Sequence, residues 1–359
     1  MSLEIWTTGA GVPGLAARHA AAAEAAGYDG LALVDSQNLA GDCYVGLALA
    51  AKATARLRLA TGVTNPVTRH PAATAAAIAA IQAESGGRAV LGIGRGDSAL
   101  AHLGYAPVPV SAFERTLERI QGYLRGEEVP FEADANLATL RLADAPKASR
   151  LTWLRPDLPK VPVDVAATGP RMIRIGATLA ERVSFAVGAD PARIRWAIDA
   201  AREARSRAGL DPAGVSLGAW VSVVVHDDRA AARALGEGGV ALFARFSAMH
   251  GTPVGPASEA DRALLRRVHD AYDMNRHART GSRQAEVLDG DFAERFAVLG
   301  PPAHCVARLR ALFALGLERL LIVGASLGAD RQQARACETR FVEEVLPALR
   351  ETSLRESRA

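Results

Sequence analysis

The chain has 359 residues, 42 Lys plus Arg against 39 Asp plus Glu, and a formal net charge of +3. With 49% apolar and 23% charged residues it reads as a packed globular chain, and the near-neutral balance supplies no basic face for nucleic acid. Three scattered cysteines (Cys43, Cys305, Cys337) make no disulfide framework or zinc cluster, and the broken apolar runs and the Met1–Trp6 start match neither a membrane span nor a signal peptide, so a cytoplasmic chain is expected.

Leu3–Trp6 predicts a short strand, Gly9–Gly14 a loop, and Leu15–Ala26 an alanine-rich helix closed by Gly27. Leu31–Val34 is the second strand and ends in Asp35. Asp42 can cap a helix running to about Thr54. Leu57–Val63 is the third strand, Pro71 opens a helix to Ala83, and Arg88–Ile93 is the fourth strand. Strands this uniformly apolar belong to a parallel sheet covered on both faces. The series continues with strands at Val161–Ala167, Arg182–Val187, Val215–Val225 and Leu317–Val323. Helices begin at Pro170, span Pro191–Ala208 and Ala303–Leu315, and close around Gln332–Leu346.

Eight strands alternating with helices predict an α/β fold, a single (β/α)8 TIM barrel over residues 1–359, in preference to a doubly wound open sheet. Two stretches interrupt the rhythm. Residues 126–160, after strand 4, are proline-rich, and residues 251–299, after strand 7, are charged and irregular. Both are expected to cover the pocket as insertions.

Barrel active sites lie at the C-terminal strand ends. Asp35 follows an apolar strand. Thr61-Gly62-Val63-Thr64-Asn65-Pro66 puts a glycine at a strand exit, where backbone can approach a planar ligand. Gly92-Ile93-Gly94-Arg95-Gly96-Asp97 is glycine-rich but sits on the fourth strand, which argues against a dinucleotide fingerprint. Ala166-Ala167-Thr168-Gly169-Pro170-Arg171 opens a helix with proline first, and free N–H groups with the helix dipole make such a start an anion site.

Other residues carry less. Ser85-Gly86-Gly87-Arg88 reads as a stabilising turn at the barrel bottom, His19 and His304 as helix residues away from the mouth, and Cys305 as packing. His102, His250, His269 and His277 can face the pocket, but their spacing forms no metal site. No G-x-S-x-G elbow is present. Lys52, Lys147 and Lys160 fall on a helix and an insertion, which disfavours an aldolase or a sugar-phosphate isomerase. With aromatics at only 5%, Trp6, Tyr44, Tyr105 and Trp153 are the candidates to line a planar ring or an apolar substrate.

Taken in order, Thr61–Pro66 with Arg69-His70-Pro71, Ser85–Arg88, Leu91–Asp97, Ala166–Arg171 and Phe296–Pro301 resemble the bacterial luciferase-like family of flavin and deazaflavin oxidoreductases, in particular its methylenetetrahydromethanopterin reductase-like members. The resemblance implies a (β/α)8 barrel, a homodimer, a small-molecule substrate, and hydride transfer between reduced deazaflavin coenzyme F420 and a C=C, C=N or C=O bond. FMN is the alternative cofactor, in an oxygen-using monooxygenase on the same barrel. A non-catalytic flavin-binding subunit is the alternative of another class.

It further implies a non-proline cis peptide at Gly62–Val63 behind the ring, with Thr64, Asn65 and Gly94 beside it. Asp97 matches the carboxylate near the reactive ring edge, and Thr168-Gly169-Pro170-Arg171 the phosphate-binding helix start. Asp35 and Ser36 stand at the second strand end, where many deazaflavin enzymes carry Asp-His. The missing histidine leaves Asp97, or His102 from the next loop, for acid–base work.

Overall fold

The computed structural model describes residues 3–132 and 136–356, with side chains described to residue 351. Eight parallel strands form the barrel: β1 Glu4–Ala10, β2 Gly30–Val34, β3 Arg58–Thr61, β4 Ala89–Ile93, β5 Val163–Ala167, β6 Arg182–Phe185, β7 Ser216–Val225 and β8 Arg319–Val323. Each pairs with its neighbour, and β8 returns to β1 with Glu4 opposite Arg319, so the sheet closes. All eight predicted strands are present. β1 runs four residues beyond Trp6, so Gly9 and Ala10 are strand rather than loop, paired with Leu33 and Val34.

The helices follow the predicted alternation: α1 Ala16–Ala25, α2 Cys43–Ala53, α3 Pro71–Ser85, α4 Val110–Leu124, α5 Pro170–Leu179, α6 Pro191–Arg207, α7 Arg229–Ser247, α8 Glu259–Asp270, α9 Pro302–Ala314 and α10 Arg331–Arg340. Asp42 caps α2 by accepting from the N–H groups of Tyr44 and Val45. Gly86 closes α3 in the left-handed region at φ 66°, and Ser85 Oγ accepts from the Arg88 N–H. The Arg88 guanidinium then binds the carbonyls of Ala51, Thr54 and Leu57, tying the bottom of the barrel together.

Trp6 does not line a ligand site. It fills the barrel interior among Ala32, Ala60, Val90 and Leu321, and a Cβ on Gly30 would come within 2.3 Å of its ring. Glycine and alanine beside a large ring is the interdigitation a close-packed core demands. Below it, the fully buried Arg319 binds Asp164 at 2.9 Å and Ser184 Oγ at 3.1 Å.

The two interruptions differ. Residues 126–160 follow α4 and include a two-strand pairing of Val129–Pro130 with Ala148–Ser149; residues 133–135 of this stretch lie outside the described set. None of its described residues lines the cleft at the strand ends. Its far end lies at the bottom of the barrel, where the Pro159 carbonyl accepts from Gln82 Nε2 and the ring packs near Gly87. Residues 251–299 contain α8, and a short strand, Val298–Gly300, extends β7 on its far side. Among the described residues no helix is long and apolar enough to cross a membrane.

Candidate active site

A cleft of about 1610 Å³ opens at the C-terminal ends of the strands. Each predicted strand-end motif contributes to it. Asp35 and Ser36 come from β2, Gly62, Val63 and Asn65 from β3, Gly94 through Asp97 from β4, and Thr168 through Arg171 from β5.

The β3 exit is built around the cis peptide Gly62–Val63. A Cβ on Gly62 would lie 2.8 Å from Ala32 Cβ and 3.3 Å from Trp220, so no side chain fits there. Thr64 is fully buried beneath the cleft and does not line it; its hydroxyl donates to Asp35 Oδ2 at 2.6 Å. Gln37 Nε2 donates to the other oxygen of Asp35 at 2.8 Å, so the carboxylate is held on both sides. Asn65 accepts from the Val67 and Thr68 N–H groups through Oδ1, while its buried Nδ2 has no partner. A buried N–H donor left open at a cleft wall fits a ligand acceptor.

At the β4 exit, Asp97 Oδ1 accepts from Arg245 Nη1 at 2.6 Å, and both side chains are largely buried. Asp97 Oδ2 is buried and unpartnered. Arg245, near the end of α7, also lies over the Tyr272 ring, 4.7 Å from its centroid. Tyr272 Oη is 3.0 Å from His277 Nδ1. Burial pushes the His277 imidazole down to about 4, against the pull of Asp97, so it is neutral at physiological pH. Burial likewise raises the Tyr272 phenol above its usual range.

His102, the other acid–base candidate, is not among the residues lining the cleft. It ends a short helix, Ser98–Ala101, and its backbone carbonyl accepts from Asn38 Nδ2 at 2.8 Å. His277 and His250 do line the cleft. His19 lines it too, contrary to its expected place away from the mouth, because the glycine at position 9 leaves room for its ring; a Cβ there would be 2.3 Å away.

Helix α5 starts at the mouth with Gly169 as its N-cap residue and Pro170 first, and beyond its two chain neighbours nothing lies within 4 Å of where a Gly169 Cβ would be. Arg171 stands beside Arg95, whose guanidinium is pushed down in pKa by burial and then by Arg171. Two cations and a helix N-terminus converging on open space suit an anion.

The aromatic lining differs from expectation. Tyr44, Tyr105 and Trp153, like Trp6, are absent from the cleft wall, which draws Trp220 from β7 and Phe243 and Phe246 from α7. Tyr44 stays buried under Arg69, and Tyr105 and Trp153 are exposed elsewhere. Sequence spacing could not reveal Arg245 or the α7 aromatics, because an amphipathic helix presents the same pattern whether it faces core or ligand.

Comparison with known proteins agrees with this architecture. The sequence profile of the luciferase-like monooxygenase family matches residues 4–319. A 5,10-methylenetetrahydromethanopterin reductase from Methanolobus tindarius is 27% identical over 325 residues, covering 89% of this chain and 92% of its own. The coenzyme F420-dependent tetrahydromethanopterin reductase of Methanopyrus kandleri shares the fold, with a TM-score of 0.72 at 22% identity over 97% of this chain and 100% of its own. So does an F420-dependent secondary alcohol dehydrogenase solved with an F420–acetone adduct, with a TM-score of 0.70 at 16% identity over 97% of this chain and 99% of its own. The matched profile spans most of the barrel and its strand-end site, and the chain is an oxidoreductase that belongs to the luciferase-like monooxygenase family.

Proposed function

We propose that the protein uses reduced coenzyme F420 to reduce a C=C, C=N or C=O bond of a small organic substrate. The observation that carries this reading is the open anion seat at α5 in the same cleft as the unpartnered Asn65 Nδ2. Thr168–Arg171, with Arg95 beside them, would hold the phosphate, and Gly62, Val63, Asn65 and Gly94 would bear on the ring. When bound, the deazaflavin supplies a two-electron hydride donor. Asp35 fixes the β2–β3 wall through Thr64 and Gln37. Asp97, engaged by Arg245, is a fixed acceptor with one oxygen free. The apolar wall of Trp220, Phe243 and Phe246 excludes water from the substrate side. Residues 1–359 would act as one barrel, the cleft covered by residues 251–299. The exposed apolar side chains Val45 and Leu49 on α2, and Val12 and Leu15 before α1, suit a homodimer contact.

FMN would use the same seat, so binding decides between the two. Purified protein is titrated with each reduced cofactor anaerobically, then mixed with aldehyde, ketone, enone and cyclic imine probes. Oxidation of reduced F420 by a probe without oxygen is the expected result. Turnover confined to reduced FMN plus oxygen overturns it, and binding of either cofactor with no turnover under any condition identifies a non-catalytic subunit.

A further inference from the structure

The residues around His277 form a preorganised unit at the cleft wall. The segment is pinned from two sides. Leu327 N–H donates to the Ala278 carbonyl and Thr280 N–H to the Leu327 carbonyl, making a short parallel bridge to the loop after β8. On the other side, α7 meets it backbone to backbone at Gly238, where a Cβ would lie 2.5 Å from the Ala278 oxygen. Ala278 itself adopts φ 56°, a left-handed conformation that a non-glycine residue keeps only when its surroundings hold it.

This framework sets the imidazole tautomer. Of this pair the phenol is the stronger donor and the imidazole nitrogen the stronger acceptor, so the Tyr272 hydroxyl donates to His277 Nδ1 at 3.0 Å. With Nδ1 accepting, a neutral ring carries its proton on Nε2. Nε2 has no hydrogen-bond partner among the described residues, and His277 lines the cleft close enough to the Asp97–Arg245 pair to sense both charges.

We propose that His277 is a catalytic residue whose Nε2–H binds and polarises the reducible oxygen or nitrogen of the substrate, with Tyr272 as the positioning residue that fixes the tautomer. The inference rests on the reductase reading above and places the donor on the insertion after β7. A neutral donor fits a group buried beside Arg245, because it stabilises developing negative charge without the desolvation cost of an imidazolium.

Two arms test this. In the first, protein labelled with nitrogen-15 histidine is examined by long-range proton–nitrogen correlation, with His277→Gln assigning the resonance. The expected spectrum at pH 7 is a neutral ring protonated at Nε2, and Tyr272→Phe loses the fixed tautomer. A ring protonated at Nδ1, or an imidazolium at pH 7, overturns the proposal. In the second, the F420-dependent turnover of whichever carbonyl, enone or imine probe the wild type reduces is measured in both variants. Loss of one preorganised donor is expected to lower kcat about 100-fold in His277→Gln, with the Kd for reduced F420 unchanged. Activity within threefold of wild type in both variants overturns the catalytic role and leaves the reductase reading standing. A wild type that neither binds nor oxidises reduced F420 overturns the parent reading and the catalytic role with it, while the first arm still decides the tautomer.

Discussion

Arg245 Nη1 lies 2.6 Å from Asp97 Oδ1, an ion pair that joins the end of α7 to the loop after β4 across 148 positions of sequence. It couples a predicted strand-end residue to the α7 side of the cleft, and its burial gives it energetic weight. Removing one member of a buried pair leaves a charge uncompensated, at a cost of about 3 kcal/mol. Asp97→Ala is therefore expected to lower urea-unfolding stability by about 3 kcal/mol, and the double variant with Arg245→Met to recover more than half of it. Equal losses in the single and double variants would refute the coupling.

The second prediction concerns acid. His277 is neutral in the folded chain down to about 4, whereas an unfolded histidine takes up its proton near 6.5. The folded state thus binds fewer protons between those values, and stability present above pH 6.5 is lost as pH falls toward 4. Between pH 7 and pH 5 the loss from this one group is about 2 kcal/mol. Unfolding free energies at the two pH values should show that decrement in the wild type and a decrement smaller by that amount in His277→Gln.

Two glycines at the mouth should behave differently. Gly169 has open space where a Cβ would stand and an ordinary φ of −93°, so Gly169→Ala is expected to cost only alanine's poorer N-cap preference, about 0.5–1 kcal/mol. If that space is the anion seat, the same methyl weakens cofactor binding at least tenfold. Gly62→Ala instead forces a clash with Ala32 and Trp220, which typically costs about 1–3 kcal/mol. Calorimetric melting alongside cofactor titration separates the two behaviours; a Gly169→Ala protein that binds normally would remove the anion seat from α5.

At the opposite end of the barrel, Arg319 and Asp164 should matter for folding alone. Arg319→Met strands Asp164 in the interior, where one of its oxygens already lacks a partner, and is expected to cost about 3–5 kcal/mol. Cofactor affinity of the fraction that folds should match wild type, measured by fluorescence titration after size exclusion.

Much of the barrel was legible in the sequence because apolar strands and alanine-rich helices alternate at a regular interval, and that period is what the parallel architecture requires. The strand-end motifs were legible for the same reason, since their position relative to each strand fixes the face on which they emerge. Three things were not. The proline-rich stretch 126–160 carries no local signal for the face it joins, and only the long-range contact of Pro159 with Gln82 places its far end at the barrel bottom. The scarcity of aromatics points to Trp6 as a ligand contact, but nothing local in the sequence tells the barrel interior from its mouth. The Asp97–Arg245–Tyr272–His277 chain draws on residues far apart in sequence, so no spacing rule encodes it.

The contact between Gly238 and Ala278 has a bearing on how this site can drift. Position 238 has no functional group and lies on a helix, where glycine is ordinarily a poor choice. Yet any methyl there would displace the segment carrying His277 by an ångström or so, enough to misalign a hydrogen-bond donor while leaving every polar side chain in place. Two homologues could then share an identical set of cleft residues and differ in rate because of one hydrogen atom on the outside of the barrel.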